Sequence, residues 1–231
     1  MRLDRHITHH TGRSHKEVLR LLAKGVVEVG GEPEHDNRRE VDRFTPISVS
    51  GDLLPHDEAI YVMLHKPAGI LSATKDPLYP TVIELIRHPR GQELHLAGRL
   101  DRTSTGLVLL TNDGRWSKQI TAPKSEIPKT YLVKTTEDIT EETAEKFAEG
   151  IYFAYEDRTT RPAQLKILSP RQARLVIHEG RYHQIKRMFG AMGNRVCALH
   201  REAIGALMLD TKLAVGEWRA LTPEEVVQTV R

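Results

Sequence analysis

Residues 98–114 read GRLDRTSTGLVLLTNDG, a stretch that combines one acid with a strong strand signal. A turn of small and hydroxylic residues precedes the apolar run Leu107–Leu110, and the turn sequence NDG follows it. Four apolar residues between two turn signals predict a strand that is buried on both faces. Asp101 is therefore expected in a tight loop at the start of a core strand, flanked by Arg99 and Arg102. Such a loop either holds a rigid carboxylate at the floor of a cleft or simply uses the Asp to cap a turn.

The composition indicates a soluble globular protein with room for two domains. The 231 residues are 39% hydrophobic and 28% charged, and no apolar run approaches the length of a membrane span. The first ten residues, MRLDRHITHH, lack the apolar region of a secretory signal. The single cysteine, Cys197, excludes an internal disulfide and fits the reducing cytoplasm. Its apolar neighbours predict that Cys197 is buried.

The sequence gives no support for a metal or a cofactor. Histidines His6 and His10 have helical spacing, but no Glu completes an HExxH frame and no cysteine cluster is present. Neither a phosphate-binding glycine loop nor a dinucleotide fingerprint occurs. We therefore expect neither a metal nor a cofactor.

Charge is unevenly spread, although the formal net charge is only +3. Residues 171–201 hold seven Lys or Arg and one acid, Glu179, whereas residues 32–59 hold three Lys or Arg and eight acids. A local excess of positive charge indicates either a polyanion partner or a solvated basic face.

Residues 1–58 predict a small α/β domain that ends in a linker over residues 52–58. Ser14 and Glu17 form the S-x-x-E pattern of a capping box, which marks the start of a helix. That helix carries a basic stripe, and Val26–Val29 follows as a strand that ends at a Gly-Gly turn. This pattern resembles the RNA-binding domain first known from small-subunit ribosomal protein four. The resemblance implies phosphate contacts by the stripe residues, Lys16, Arg20 and Lys24.

Residues 59–231 predict a larger α+β domain built around a mostly antiparallel mixed sheet, because short β-rich segments alternate with helical ones. The predicted strands are 61–64, 107–111, 130–134, 163–167 and 174–177. The predicted helices are 81–87, 141–149, a segment after Gly180, and one that begins at the capping box of residues 222–225.

Four motifs in this larger domain follow the order found in the pseudouridine synthase family. They are HKPAG at 65–69, the Asp101 stretch, KTYLV at 129–133 and EGRYHQIKRM at 179–188. Together with the N-terminal domain, they make nearly the whole chain similar to the RsuA branch of that family. The resemblance implies a pseudouridine synthase-like catalytic domain that isomerises uridine in RNA without a cofactor.

The resemblance also implies roles for individual residues. Asp101 is the expected nucleophile, which attacks the sugar at C1′, attacks uracil at C6, or assists elimination. Tyr131 is expected to lie against the target base, where its ring can stack and its hydroxyl can move a proton. Lys186 aligns with the cation that pairs with the Asp in the family. Arg187 is the rival for this role, since many relatives carry Arg, whose planar fork binds a carboxylate in bidentate fashion.

Further residues are expected to bind the substrate. Arg102 is the candidate to fill the gap that a flipped nucleotide leaves in the RNA stack. Ile185 is the candidate to line the uracil pocket, with a plain core position as the alternative. RNA contacts are expected from the basic residues of the motifs, Lys66, Arg99, Arg181 and Arg187.

Within the RsuA branch, the sequence is similar to the members that modify small-subunit (16S) ribosomal RNA. MRLD at residues 1–4, DPLYPTV at 76–82 and GRYHQ at 180–184 carry this similarity. The short C-terminus lacks the basic tail of some large-subunit relatives. We therefore expect a monomeric cytoplasmic enzyme that acts on 16S rRNA or on a small-subunit assembly particle. The alternatives are a large-subunit (23S) rRNA enzyme and a non-catalytic RNA-binding or ribosome-assembly protein.

Overall fold

Two helices and a small sheet form the first of the two units into which the chain divides, Met1–Ala59 and Ile60–Arg231. The structure, a computed structural model, describes residues 1–230. In the small unit, the sheet is antiparallel with strand order β2-β1-β3-β4. Its elements are α1 (Leu3–Thr11), α2 (His15–Ala23), β1 (Val27–Val29), β2 (Glu32–Pro33), β3 (Ile47–Val49) and β4 (Asp52–Leu53).

The start of helix α2 and the end of the small sheet test two sequence expectations. The predicted capping box is confirmed, because the side chains of Ser14 and Glu17 each bond the other residue's backbone. The linker predicted for residues 52–58 is wrong at its start, since β4 pairs with β3. Ser50 and Gly51 both have positive φ, 56° and 90°, and such residues form the two-residue turns that join antiparallel strands.

The large unit is a mixed sheet with helices on both faces, and the α+β expectation is confirmed. Its main path has the strand order β11-β12-β8-β13-β7-β5-β15, with β14 beside β13 and β6 beside β7. Within this sheet, as far as residues 60–230 show, only β7 and β13 run parallel. The helices and strands of the large unit are β5 (Tyr61–Lys66), α3 (Val82–Leu85), β6 (His95–Leu96), β7 (Thr105–Thr111), α4 (Gly114–Thr121), β8 (Lys129–Thr135), α5 (Glu141–Glu149), β9 (Tyr152–Phe153), β10 (Arg158–Thr159), β11 (Gln164–Ser169), β12 (Gln172–Ile177), α6 (Gln184–Ala191), β13 (Val196–Ile204), β14 (Leu207–Met208), β15 (Trp218–Ala220) and α7 (Pro223–Thr229).

Strand β7 is buried on both faces, as the apolar run predicted. Val108 and Leu110 belong to the core that includes residues of α5 and α6. Leu107 and Leu109 belong to the core that includes residues of α4, with Val226 of α7 packed against it. Alternate residues of a strand point to opposite faces, so helices on both sides of the sheet fix the register of β7.

Two local expectations for the large unit are wrong. The helix predicted at 81–87 ends at Leu85, because Ile86 has extended backbone angles. Cys197, expected to be buried, is exposed. It lies where the register between β13 and β8 shifts, between Val196 and Ala198, and a bulge residue of this kind leaves the regular inward and outward alternation. No helix within residues 1–230 has the length and apolar character needed to cross a membrane.

Gly106 allows the parallel pairing of β7 with β13. Its partner across the pair is Arg201, and its φ is +107°. A Cβ atom at Gly106 would lie 2.3 Å from the carbonyl oxygen of Arg201, far inside van der Waals contact. Glycine is therefore required both by the backbone conformation and by the close approach of the neighbouring strand.

We expect Gly106→Ala to lower the free energy of unfolding by more than about 3 kcal/mol, because the new methyl group meets strand backbone in a packed core. Gly69→Ala is the control for conformation alone: its φ is +89° but no heavy atom lies within 4 Å of the new Cβ, so about 1–3 kcal/mol is expected. Gly114→Ala, which has neither feature, should change the value by less than about 0.5 kcal/mol. Chemical denaturation measures all three, and equal losses at Gly106 and Gly69 would contradict the steric explanation.

Candidate active site

Asp101 begins a tight turn directly before β7, which is the position expected from the sequence. The amide of Ser104 donates a hydrogen bond to the carbonyl oxygen of Asp101 over 3.0 Å and closes the turn. The side chain of Asp101 is 25% exposed. Its carboxylate is thus held by the protein and also reachable from solvent.

Lys66, the last residue of β5, holds this turn from beneath. Its Nζ donates to the carbonyl oxygens of Asp101 (3.2 Å), Arg102 (3.3 Å), Ser104 (2.8 Å) and Pro67 (2.9 Å). Burial lowers the pKa of Lys66 to about 8, and the charge of Asp101 opposes that shift. The ammonium form therefore prevails at neutral pH. The expected substrate contact of Lys66 is wrong, because the side chain is fully buried and its donors are occupied by the main chain.

Lys186, and not Arg187, is the cation beside the Asp101 carboxylate. Its Nζ lies 2.7 Å from Asp101 Oδ2 and 3.1 Å from Thr103 Oγ1. Arg187 pairs with Glu156, and its guanidinium carbon lies 3.7 Å from the centre of the Phe153 ring. Consecutive residues of a helix point about 100° apart, so α6 can aim only one of the two cations at Asp101.

His183 is a member of the site that the sequence analysis missed. Its Nε2 lies 3.5 Å from Asp101 Oδ1. It precedes α6 with a φ of +49°, a left-handed conformation that is uncommon outside glycine but enriched in histidine. Unusual backbone angles of this kind concentrate at functional sites. The motif EGRYHQIKRM contained His183, but sequence alone did not indicate that its ring turns toward Asp101.

Arg201 is a second missed residue, and it connects the turn to Tyr131. It is only 2% exposed. Its Nε donates to the carbonyl oxygen of Leu107 over 2.8 Å, and its Nη1 donates to that of Arg99 over 3.3 Å. Nη1 also lies 3.5 Å from the hydroxyl oxygen of Tyr131, which is buried on β8. The sequence contained little signal for this role, because Arg201 lies between two other polar residues of β13, His200 and Glu202.

The other predicted site residues near Asp101 differ in exposure. Arg99 and Arg102 are exposed on either side of it, and the guanidinium carbon of Arg102 lies 4.5 Å from the centre of the Tyr79 ring. Ile185 is buried in the core that also contains Tyr131. The structure therefore leaves Arg99 and Arg102 available to a ligand.

The positive excess in residues 171–201 does not form a free basic patch. Arg181 lies 3.1 Å from Glu156 and 3.1 Å from Glu179, and Arg187 shares Glu156 with it. Acids from neighbouring segments thus pair with both guanidinium groups, and the expected RNA contacts of Arg181 and Arg187 stay a prediction. Two more arginines of the run are paired in the same way, Arg171 with Asp138 and Arg174 with Glu202.

The predicted basic stripe of the small unit lies on its surface. Lys16, Arg20 and Lys24 of α2 are all exposed. Arg20 and Lys24 also line a shallow concavity, together with Arg13, Glu17 and Leu21. Exposed cations along one helix are suited to contacts with phosphate groups.

Lys129 starts β8 two residues before Tyr131, and its environment is linked to Arg201. Its Nζ donates to the carbonyl oxygen of Ile127 over 3.0 Å. Burial, together with the charge of Arg201, lowers the pKa of Lys129 from 10.5 to about 8. The folded protein thus binds this proton less tightly than the unfolded chain does.

The free energy of unfolding should consequently rise with pH between about 8 and 10.5, because unfolding takes up a proton at Lys129 in that window. The contribution is complete above the unfolded pKa and is lost as the pH falls to about 8. We expect Lys129→Met to lower this slope by up to about 1.4 kcal/mol per pH unit. Urea denaturation of both proteins across the window measures the slopes, and identical slopes would contradict the shifted pKa.

Comparison with known proteins shows the family of the chain. Residues 60–191 match the family described as RNA pseudouridylate synthase. Two similar bacterial proteins are each named "Ribosomal small subunit pseudouridine synthase A". The one from Pseudomonas aeruginosa is 45% identical over 98% of this chain and 99% of its own, and the one from Escherichia coli (strain K12) is 43% identical over 100% of both. A solved structure described as pseudouridylate synthase is 40% identical, covers 100% of both chains and has a TM-score of 0.73. Sequence, fold and family match together confirm the expected resemblance, and the chain belongs to the RNA pseudouridylate synthase family of isomerases.

Proposed function

We propose that this chain converts a uridine of small-subunit (16S) rRNA to pseudouridine, with Asp101 as the nucleophile. The observation that carries the proposal is the accessible Asp101 carboxylate paired with Lys186 at 2.7 Å. Relatives that are 43–45% identical over nearly the whole chain carry a name that refers to the ribosomal small subunit. This supports 16S rRNA over 23S rRNA as the substrate.

The reaction requires the protein to position the uridine, to supply a nucleophile and to move protons. The bond between uracil N1 and ribose C1′ breaks, the base turns, and a bond forms between C5 and C1′. The proton on C5 leaves and N1 gains one, so atoms and electrons balance without a redox partner. Asp101 supplies the electron pair for a transient bond at C1′ or at C6. This bond breaks again and returns the pair to the carboxylate before the product leaves, and Lys186 compensates the charge of the free carboxylate. The Tyr131 hydroxyl, which receives the Arg201 hydrogen bond, takes part in moving the C5 proton.

Binding of the RNA is assigned to groups that the structure leaves exposed. Arg99 and Arg102 flank Asp101, and Arg102 fills the space of the flipped uridine. The stripe Lys16, Arg20 and Lys24 contacts phosphates. Asp101, Lys186 and Tyr131 belong to one unit of one chain, which supports action as a monomer. A single cysteine and an rRNA substrate support a cytoplasmic location.

Replacement of Asp101 by Asn should abolish turnover without weakening RNA binding. The amide is a poor nucleophile, so a loss on the order of 10³-fold or more is expected, while removal of one negative charge favours polyanion binding. Carbodiimide and primer-extension mapping of 16S and 23S rRNA detects pseudouridine, on naked RNA and on assembly particles. Asp138→Asn is the control, because Asp138 is an exposed acid paired with Arg171.

Each outcome of the mapping has a distinct meaning. One new stop in 16S rRNA, present with the unaltered protein and with Asp138→Asn only, supports both substrate and nucleophile. A stop only in 23S rRNA overturns the substrate, and turnover by Asp101→Asn overturns the nucleophile. No stop on any RNA or particle favours the non-catalytic alternative.

Replacement of Lys186 by Met should reduce kcat about 100-fold, because the Asp101 carboxylate loses the cation that lies 2.7 Å away and compensates its charge. Lys186→Arg keeps the charge and should retain more than a tenth of kcat. Arg187→Met breaks the pair with Glu156 and should act on KM or on stability instead. Lys166→Met, at an exposed position of β11, is the control for loss of positive charge. A fall in kcat of similar size in Arg187→Met and Lys186→Met would contradict the assignment.

A further inference from the structure

Tyr182 forms a stacked pair with His183 next to the Asp101 carboxylate. The two rings are 3.9 Å apart between centroids and 17° from parallel. His183 Nε2 is 3.5 Å from Asp101 Oδ1. The Nε2 atom of His183 therefore faces the Asp101 carboxylate. The ring of Tyr182 covers one face of the His183 imidazole.

The Tyr182 side chain is open to solvent although it lies beside the site. Tyr182 is 75% exposed, and what distinguishes it from other exposed aromatic rings is its position against His183, which contacts Asp101. His183 is the ring that stacks on it among residues 1–230. The face of Tyr182 turned away from His183 is therefore available to another flat ring.

Three hydrogen bonds hold the segment around Tyr182 and His183. The amide of Arg181 donates to Gln184 Oε1 over 3.0 Å, and Gln184 Nε2 donates to Glu179 over 2.8 Å. Arg187 Nη1 lies 3.4 Å from the carbonyl oxygen of Tyr182. The ion pairs of Arg181 and Arg187 thus position the segment that carries Tyr182. A ring that is already fixed in position loses little conformational entropy when a ligand binds to it.

We propose that the open face of Tyr182 binds the nucleobase next to the target uridine by stacking. This inference rests on the proposed function, because the target uridine must occupy the Asp101 site. Unpaired bases stack on exposed aromatic rings in RNA-binding proteins, and the interaction tolerates any base because each has a π-face. Tyr182 then selects RNA whose bases are unstacked beside the target, and it does so without reading their sequence.

Replacement of Tyr182 by Ala is expected to raise KM for 16S rRNA, and Kd for a single-stranded oligouridylate, by about 5- to 150-fold. The value of kcat should stay within about twofold. Tyr182→Phe and Tyr182→Trp keep a flat ring and should stay close to the unaltered protein. Tyr155→Ala is the matched control, since Tyr155 is 98% exposed on the segment between β9 and β10, and no change is expected.

An abasic nucleotide on either side of the mapped uridine completes the test. Removal of the base on one of the two sides should weaken binding by the unaltered protein and add nothing to the loss in Tyr182→Ala. Equal constants for Tyr182→Ala and Tyr155→Ala would overturn the inference. A loss in Tyr182→Phe as large as in Tyr182→Ala would replace stacking by a hydroxyl contact and overturn it too.

The two proposals fail in different ways. If the unaltered protein forms no pseudouridine in any RNA, the proposed function fails, while the oligouridylate measurement still decides whether Tyr182 stacks on bases. If the unaltered protein is active and Tyr182→Ala keeps its KM and Kd, only the stacking inference fails. A fall in kcat with unchanged KM would show instead that Tyr182 merely supports His183.

Discussion

A buried ammonium group surrounded by main-chain carbonyls is the interaction on which the site depends. The turn that carries Asp101 directs carbonyl oxygens inward, and buried carbonyl groups need hydrogen-bond donors. The Nζ of Lys66 supplies them for residues 101, 102 and 104 at once. In return, the carbonyl dipoles offset the desolvation cost of a charge inside the protein. Because one group holds three points of the turn, the Asp101 carboxylate has a fixed position before any RNA arrives.

Arg201 adds a second constraint from the neighbouring strand. Its guanidinium binds the carbonyl oxygens of Arg99 and Leu107, which lie on either side of the turn held by Lys66. The same residue approaches Gly106 so closely that any side chain there would collide with it. The parallel pairing of β7 with β13 therefore requires Gly106, and the same pairing places the buried Arg201 beside the turn. Arg201 connects the Asp101 turn with the hydroxyl group of Tyr131.

Charge around the site is arranged by pairing more than by accumulation. Lys186 compensates Asp101, while Glu156 compensates both Arg181 and Arg187. Paired arginines of this kind fix the backbone of the segment before α6, where Tyr182 and His183 stack. The exposed cations, such as Arg99 and Arg102, are then the groups that an RNA backbone can reach. Lys186 and Arg187, which are neighbours in sequence, thus have different partners in space, Asp101 and Glu156.

The sequence by itself determined the local structure and the family. The apolar run of β7, the capping box of α2 and the order of four motifs each depend on residues that are neighbours along the chain, and such patterns can be read without coordinates. Only the tertiary structure decided which cation meets Asp101, that Lys66 is buried, that four arginines of residues 171–201 pair with acids, and that His183 and Arg201 belong to the site. These facts depend on groups such as Glu156 and Arg99, which reach their partners from distant parts of the sequence. Their pairing is set by the packing of strands and helices, which no local pattern encodes.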